Sequence, residues 1–157
     1  MITIIALIVV DMQEDYIGSS RGKKTHLYNA DLLISNINAK IEQYHKNGDM
    51  IIYIQNVAKG KKSSFVNELH IASELVYEKN KASCFTNHEL NTFLIENNIK
   101  KVELVGIDGN YCVGMSALEG VNLGFTVKLI LECIGVAKTE KFIKMKERLL
   151  NAGVIIN

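Results

Sequence analysis

The feature that most constrains this chain is a regular recurrence of continuous apolar runs rich in β-branched residues, over 2–10, 50–57, 75–78, 101–107, 125–131 and 154–156. Runs without polar alternation fit strands covered on both faces. Helical patterns lie between most of them. After Asn29, the side chains of Leu33, Ile37, Ile41 and Tyr44 share one face, and Asn47-Gly48 supplies a stop. Thr86-Asn87-His88-Glu89 reads as a capping box ahead of Leu90, Phe93 and Leu94. A third helix is expected from about Cys112 to Leu123, ending at Gly124. The last starts near Thr139, carries Phe142, Met145, Leu149 and Ala152 at intervals of three, four and three, and stops at Gly153. Strands alternating with helices imply a parallel sheet, because right-handed crossovers lay the helices on its two faces. The fold class is α/β, a three-layer α/β/α sandwich. No linker or repeat interrupts the 157 residues, so 1–157 reads as one domain.

Composition narrows the partners. Net charge is only +1, which removes any broad electrostatic reason to expect nucleic acid or an anionic membrane. The run Lys59-Gly60-Lys61-Lys62-Ser63-Ser64 lacks interleaved aromatics and reads as a solvated loop. The first apolar run has no basic leader or small-residue cleavage site and is too short to span a bilayer, so it reads as a buried strand rather than a signal peptide. Cys84, Cys112 and Cys133 are odd in number and widely spaced, which suits reduced thiols in the cytoplasm.

In parallel sheets, ligands bind beyond the carboxyl ends of the strands. After the first strand comes Asp11-Met12-Gln13-Glu14-Asp15-Tyr16; after the third, Glu78-Lys79-Asn80-Lys81-Ala82-Ser83-Cys84-Phe85; after the fourth, Asp108-Gly109-Asn110-Tyr111-Cys112. An acid, a base and a thiol thus arrive on one edge. A cysteine opening a helix faces backbone N–H groups and the positive end of the helix dipole, and a nearby ammonium should lower its pKa further. Asp11 could take the thiol proton and return it to a leaving amine, and the loop before Cys112 could offer amides to an oxyanion. Thiolate attack, a tetrahedral intermediate, loss of amine, a thioester and hydrolysis would follow, without a metal or other cofactor. Each residue also has a plainer role. Cys112 could be a small buried hydrophobe, Asp11 a loop acid capping amides, and Lys79 a solvated lysine whose task Lys81 could perform equally well. Cys84 and Cys133 read as structural, the latter just beyond the fifth strand.

The motifs resemble those of the isochorismatase-like, nicotinamidase-related cysteine hydrolases. Val9-Val10-Asp11-Met12-Gln13-Glu14-Asp15-Tyr16 resembles the opening strand of that family. Asn67-Glu68-Leu69 and then Lys79-Asn80-Lys81-Ala82-Ser83-Cys84-Phe85 resemble its second motif, and Val105-Gly106-Ile107 with Cys112-Val113, Ser116 and Ala117 its third. The register of Ser83 and Phe85 places the family's lysine at Lys79, not Lys81. The resemblance implies a six-stranded parallel sheet, an Asp11–Lys79–Cys112 triad, and a cis peptide between Ile107 and Asp108 that aims the amides of Asp108 and Cys112 at an oxyanion. It also implies a homodimer or larger homo-oligomer. Tyr16, Phe85 and Tyr111 are candidate pocket residues, with core packing the alternative for each.

Three departures shape the expected function. Gly109 stands where the family often has Thr. Asp108 puts an acid beside the oxyanion hole, so its side chain is expected to turn away or hydrogen-bond within the loop. The stretch Gln55-Asn56-Val57-Ala58-Lys59 lacks the Asp-x-His pair that holds a divalent ion in nicotinamidases. His26, His45, His70 and His88 lack ligand spacing and read as surface or helix-face residues. Members of the family that process isochorismate lack the cysteine. The expected activity is therefore that of a metal-independent amidohydrolase acting on a small-molecule amide. The alternative is a weak or inactive homologue that binds a metabolite or protein. The acidic loop Asp11–Tyr16 after the first strand argues against a flavodoxin-like nucleotide site, which needs a glycine- or hydroxyl-rich phosphate loop there.

Overall fold

A computed structural model describes residues 3–18 and 27–157. The elements run β1 (Ile5–Val10), α1 (Glu14–Ile17), α2 (Ala30–Lys46), β2 (Met50–Asn56), β3 (Val76–Lys79), a 3-10 turn (Cys84–Thr86), α3 (His88–Glu96), β4 (Lys101–Ile107), α4 (Cys112–Asn122), β5 (Thr126–Gly135), α5 (Thr139–Ala152) and β6 (Ile155–Ile156). The strands form one six-stranded sheet in the order β3-β2-β1-β4-β5-β6, with every pairing parallel. This is the expected α/β sandwich. Ile2 and His26 lie outside the described residues.

The period of two along a strand sorts the core. In β1, Ala6, Ile8 and Val10 pack with Leu90, Leu94, Val113, Ala117 and Leu149 from α3, α4 and α5. Leu7 and Val9 face the other way, against Leu33, Ile37 and Ile41 of α2. β1 lies between β2 and β4, which explains its unbroken apolar run. β3 behaves differently: as an edge strand its residues are mostly exposed until Lys79 turns inward.

Helix ends follow local chemistry. Gly48, Gly124 and Gly153 sit just past α2, α4 and α5 with positive φ, which glycine adopts without a steric penalty. The capping box expected at Thr86 is displaced by one residue. Asn87 caps α3, its side chain accepting from the amides of Glu89 and Leu90, while the Thr86 hydroxyl donates to the Ser83 carbonyl in the preceding 3-10 turn. β5 runs four residues beyond its expected end. A register shift between Leu104 and Gly106 of β4 lets pairing resume at Ile134, and this irregularity hides the strand's second half from a periodicity argument. Cys133 therefore lies inside β5, fully buried, and not beyond it.

Candidate active site

Strand register brings Asp11, Lys79 and Cys112 together. Val10 pairs with Ile54 on one side and Gly106 on the other, so Asp11, the next residue, stands between the ends of β2 and β4. Asn56 is opposite Lys79, which carries Lys79 to the same edge. Gly106 (φ 117) makes the close approach possible, since a Cβ there would meet the Val10 carbonyl oxygen at 2.2 Å. Asp11 leaves the strand in the left-handed region, at φ 56, a conformation that asparagine and aspartate tolerate better than most residues.

At the convergence, the Lys79 Nζ donates to Asp11 Oδ2 at 3.0 Å and to the Lys81 carbonyl at 3.1 Å, and lies 3.3 Å from Cys112 Sγ. Asp11 and Lys79 are 3% and 4% exposed; the thiol is half-buried. Asn56 Nδ2 makes a long 3.5 Å contact with Asp11 Oδ2. Asp11 Oδ1 is buried with no conventional hydrogen-bond partner among the described residues.

Burial dominates the proton affinities. It raises the Asp11 pKa above the ordinary carboxylate value, against the opposing pull of Lys79, the Cys112 thiol and Asn56. For Lys79 burial works against the charge, but Asp11 and Cys112 outweigh it and the ammonium is held more firmly than usual. Cys112 is pushed up to about 11, first by burial and then by the Asp11 charge, with Lys79 pulling the other way. The expectation of a depressed thiol pKa is thereby corrected. Lys79 acts in the expected sense, yet in the resting site Cys112 keeps its proton beside a carboxylate of enhanced basicity.

The loop that leads into Cys112 is secured from behind. The Ile107–Asp108 peptide is cis, and the Asp108 carbonyl accepts from the amides of Tyr111 and Val113. The Asp108 carboxylate takes up three donors: the Tyr28 hydroxyl at 3.0 Å, the Asn110 amide at 2.8 Å and the Ala137 amide at 3.1 Å. It thus satisfies its charge inside the loop and toward the β5–α5 turn. Among the described residues, the amides of Asp108 and Cys112 themselves meet no internal acceptor. Gly109 packs tightly, with Val136 and Phe142 carbons 2.8 and 2.9 Å from where a Cβ would stand, so a larger residue there would have to displace them.

The three expected pocket residues separate. Tyr16 is half-buried, and its hydroxyl feels the charges of Asp11, Lys79 and Cys112. Phe85 is 1% exposed and stacks on Phe125 at 5.5 Å; core packing is its role. Tyr111, preceding Cys112, is 51% exposed and lines a separate cleft with Lys141, Lys144, Met145 and Arg148.

Two residues gained weight only in three dimensions. Gln13 is fully buried; its Nε2 donates to the Asn56 and Ser63 carbonyls, and its Oε1 accepts from the Asn56 amide. It ties the loop after β1 to the end of β2, and its place in the first motif was the available signal. Tyr28 had no sequence signal, since its partner Asp108 is 80 residues away.

The end of β2 and the residues after it carry no acidic or imidazole side chain over 55–59. Gln55 and Asn56 present neutral amides whose nitrogens donate to the Ser63 carbonyl and to Asp11. Among the described residues, no three His, Cys, Asp or Glu side chains cluster as metal ligands. Nor is any helix among them long and apolar enough to cross a membrane.

Comparison with known proteins places the fold in a family. The Isochorismatase domain family model matches residues 5–156. The Bacillus subtilis isochorismatase family protein YddQ is 23% identical over 136 residues, covering 80% of this chain and 74% of that protein. The pyrazinamidase of Pyrococcus horikoshii, solved in complex with zinc, superposes with a TM-score of 0.83 at 24% identity over 98% of each chain. The nicotinamidase of Staphylococcus aureus does so with a TM-score of 0.84 at 20% identity over 99% of each. With a family model spanning nearly all of its length and the family's fold in every layer, this chain belongs to the isochorismatase family.

Proposed function

We propose that this protein is a metal-independent cysteine amidohydrolase that cleaves a C–N amide-type bond of a small molecule through a thioester on Cys112. The observation that carries the reading is Lys79 Nζ lying between Asp11 Oδ2 at 3.0 Å and Cys112 Sγ at 3.3 Å. That the structural neighbours include enzymes named pyrazinamidase and nicotinamidase supports an amidase.

In this scheme the thiol is not pre-ionised. As Sγ attacks the amide carbon, its proton passes to Asp11, whose buried Oδ1 is otherwise unpartnered and whose raised pKa suits a general base. Lys79 holds the Asp11 carboxylate in place and stabilises the sulfur as charge builds on it. The amides of Asp108 and Cys112 receive the oxyanion; one such donor is worth about 3 kcal/mol in comparable sites. Asp11 then returns the proton to the leaving nitrogen, and water hydrolyses the thioester with Asp11 again as base.

The test is a screen of small amides with the wild-type chain and with Cys112→Ala and Asp11→Asn. Turnover in the wild type and its loss in both variants is expected; undiminished turnover by Cys112→Ala overturns the mechanism. The raised Cys112 pKa is what favours a second reading, a weak or inactive homologue that binds a metabolite or protein, and it predicts little or no turnover of any amide. A homo-oligomer in the cytoplasm completes the proposal. It is supported by Ile143 and Leu150, an exposed pair two turns apart on α5, and by three free thiols; sedimentation checks the first part.

A further inference from the structure

Backbone pairing fixes where Asp11 and Lys79 stand at the edge of the sheet. Cys112 is placed less directly, as the first residue of α4, so its distance from Lys79 also depends on how α4 is seated against the segment that follows β3. One side chain makes that connection. Ser116 lies one turn after Cys112 and is fully buried. Its hydroxyl donates to the Cys112 carbonyl at 2.5 Å and accepts from the Cys84 amide at 3.0 Å.

The first of these bonds alone would be ordinary, since serine within a helix often returns its hydroxyl proton to the carbonyl four residues back. The second is not local: Cys84 is 32 residues away, in the 3-10 turn after Lys79. With the bonds of Lys79, the two contacts close a ring. Lys79 Nζ donates to the Lys81 carbonyl at 3.1 Å, and the backbone runs on from Lys81 to Cys84. The Cys84 amide reaches Ser116, Ser116 reaches the Cys112 carbonyl, and Cys112 Sγ returns to Lys79 Nζ at 3.3 Å.

Packing fixes the same seat. Gly120, one turn beyond Ser116, approaches the 3-10 turn so closely that a Cβ there would stand 3.0 Å from the Phe85 ring. The turn is also held from within, because the Ser83 hydroxyl accepts from the Phe85 amide at 3.1 Å. A shift of α4 relative to this turn would therefore have to break the Ser116 bridge and move Phe85.

We propose that Ser116 is a positioning residue: by clamping α4 to the turn after β3, it sets the distance between the Lys79 ammonium and the Cys112 sulfur. Its effect on turnover rests on the amidohydrolase reading, whereas its effect on the thiol does not. Lys79 pulls the Cys112 proton affinity down against burial and the Asp11 charge. The attraction behind that pull weakens as the charges separate, so loosening the clamp should make the thiol harder to ionise.

The experiment compares the wild type with Ser116→Ala, Ser116→Thr and Ile41→Val. Alanine removes only the hydroxyl and favours the helix, while threonine keeps a hydroxyl that can bond the carbonyl one turn back. Ile41 is fully buried on the other face of the sheet, so its shortening reports a loss of stability remote from the thiol. The pH dependence of iodoacetamide alkylation, followed at Cys112 by peptide mapping, reads the ionisation. In Ser116→Ala the midpoint should rise by about half a unit or more, and kcat for any amide that is turned over should fall about tenfold with KM little changed. Ser116→Thr should hold both near wild type, and Ile41→Val should lower the melting temperature with the midpoint in place. A midpoint that stays or falls in Ser116→Ala, or that rises equally in Ile41→Val, overturns the proposal and leaves the amidohydrolase reading to its own test. A raised midpoint in Ser116→Ala, when the wild type turns over no amide, supports the clamp and counts against the amidohydrolase reading.

Discussion

Two opposed charges, Asp11 and Lys79, act on Cys112, and their balance decides when it ionises. Burial and Asp11 push its thiol up to about 11, while Lys79 pulls it down. Alkylation by iodoacetamide should therefore follow an ionisation with a midpoint near 11 and proceed more slowly at neutral pH than at a free cysteine, whose pKa is about 8.5. The sign of each partner is testable separately. Asp11→Asn removes a raising influence and should move the midpoint down, even as turnover is lost. Lys79→Gln removes a lowering influence and should move it up. A midpoint that falls in Lys79→Gln would contradict the arrangement. Asp108 offers a third probe, since its carboxylate takes donors from Tyr28, Asn110 and Ala137. Asp108→Ala should lower kcat with KM little changed, and Tyr28→Phe should show a milder form of the same loss.

The strands and helices owe their ends to a few local devices whose removal has a definite cost. Asn87→Ala takes away the cap of α3 and should destabilise the chain by about 1 kcal/mol in urea unfolding. Gly106→Ala would place a Cβ 2.2 Å from the Val10 carbonyl oxygen. It should lose stability, and it should lose activity beyond that, because β4 would be pushed from β1 where Asp11 and the nucleophile loop diverge. These elements also show where sequence reasoning reaches its limit. The helix over Thr139–Ala152 was recoverable in the sequence, since its 3.6-residue period and closing glycine are local signals. The second half of β5 was not. Its pairing resumes after a register shift with β4, and nothing near Glu132-Cys133 in the chain reports on a partner strand. The Asn87 cap was missed by one position, because Thr86 and Asn87 are both capping residues and the 3-10 turn that engages Thr86 is a tertiary outcome.

As a molecule, the chain uses one sheet to carry distant residues to a common edge. Asp11 and Cys112 could be named in advance because each follows a strand that a periodicity argument can find, whereas Lys79 was separated from Lys81 only by the family resemblance around Ser83 and Phe85. Their distances, and the direction of the Cys112 pKa, depend on how deeply the edge is buried, which the sequence does not express. Phe85 stayed open between pocket and core for a similar reason: a pocket aromatic and a core aromatic stacked on Phe125 look identical in one dimension. The central claim is that the assembled edge makes a covalent bond to its substrate at Cys112. Intact-protein mass spectrometry after acid quenching during turnover of a small amide tests it most directly. The wild-type chain should gain the mass of the acyl group, peptide mapping should locate it on Cys112, and Asp11→Asn should show no such gain. Turnover with no adduct at any quench time, together with activity retained in Cys112→Ala, would contradict the account.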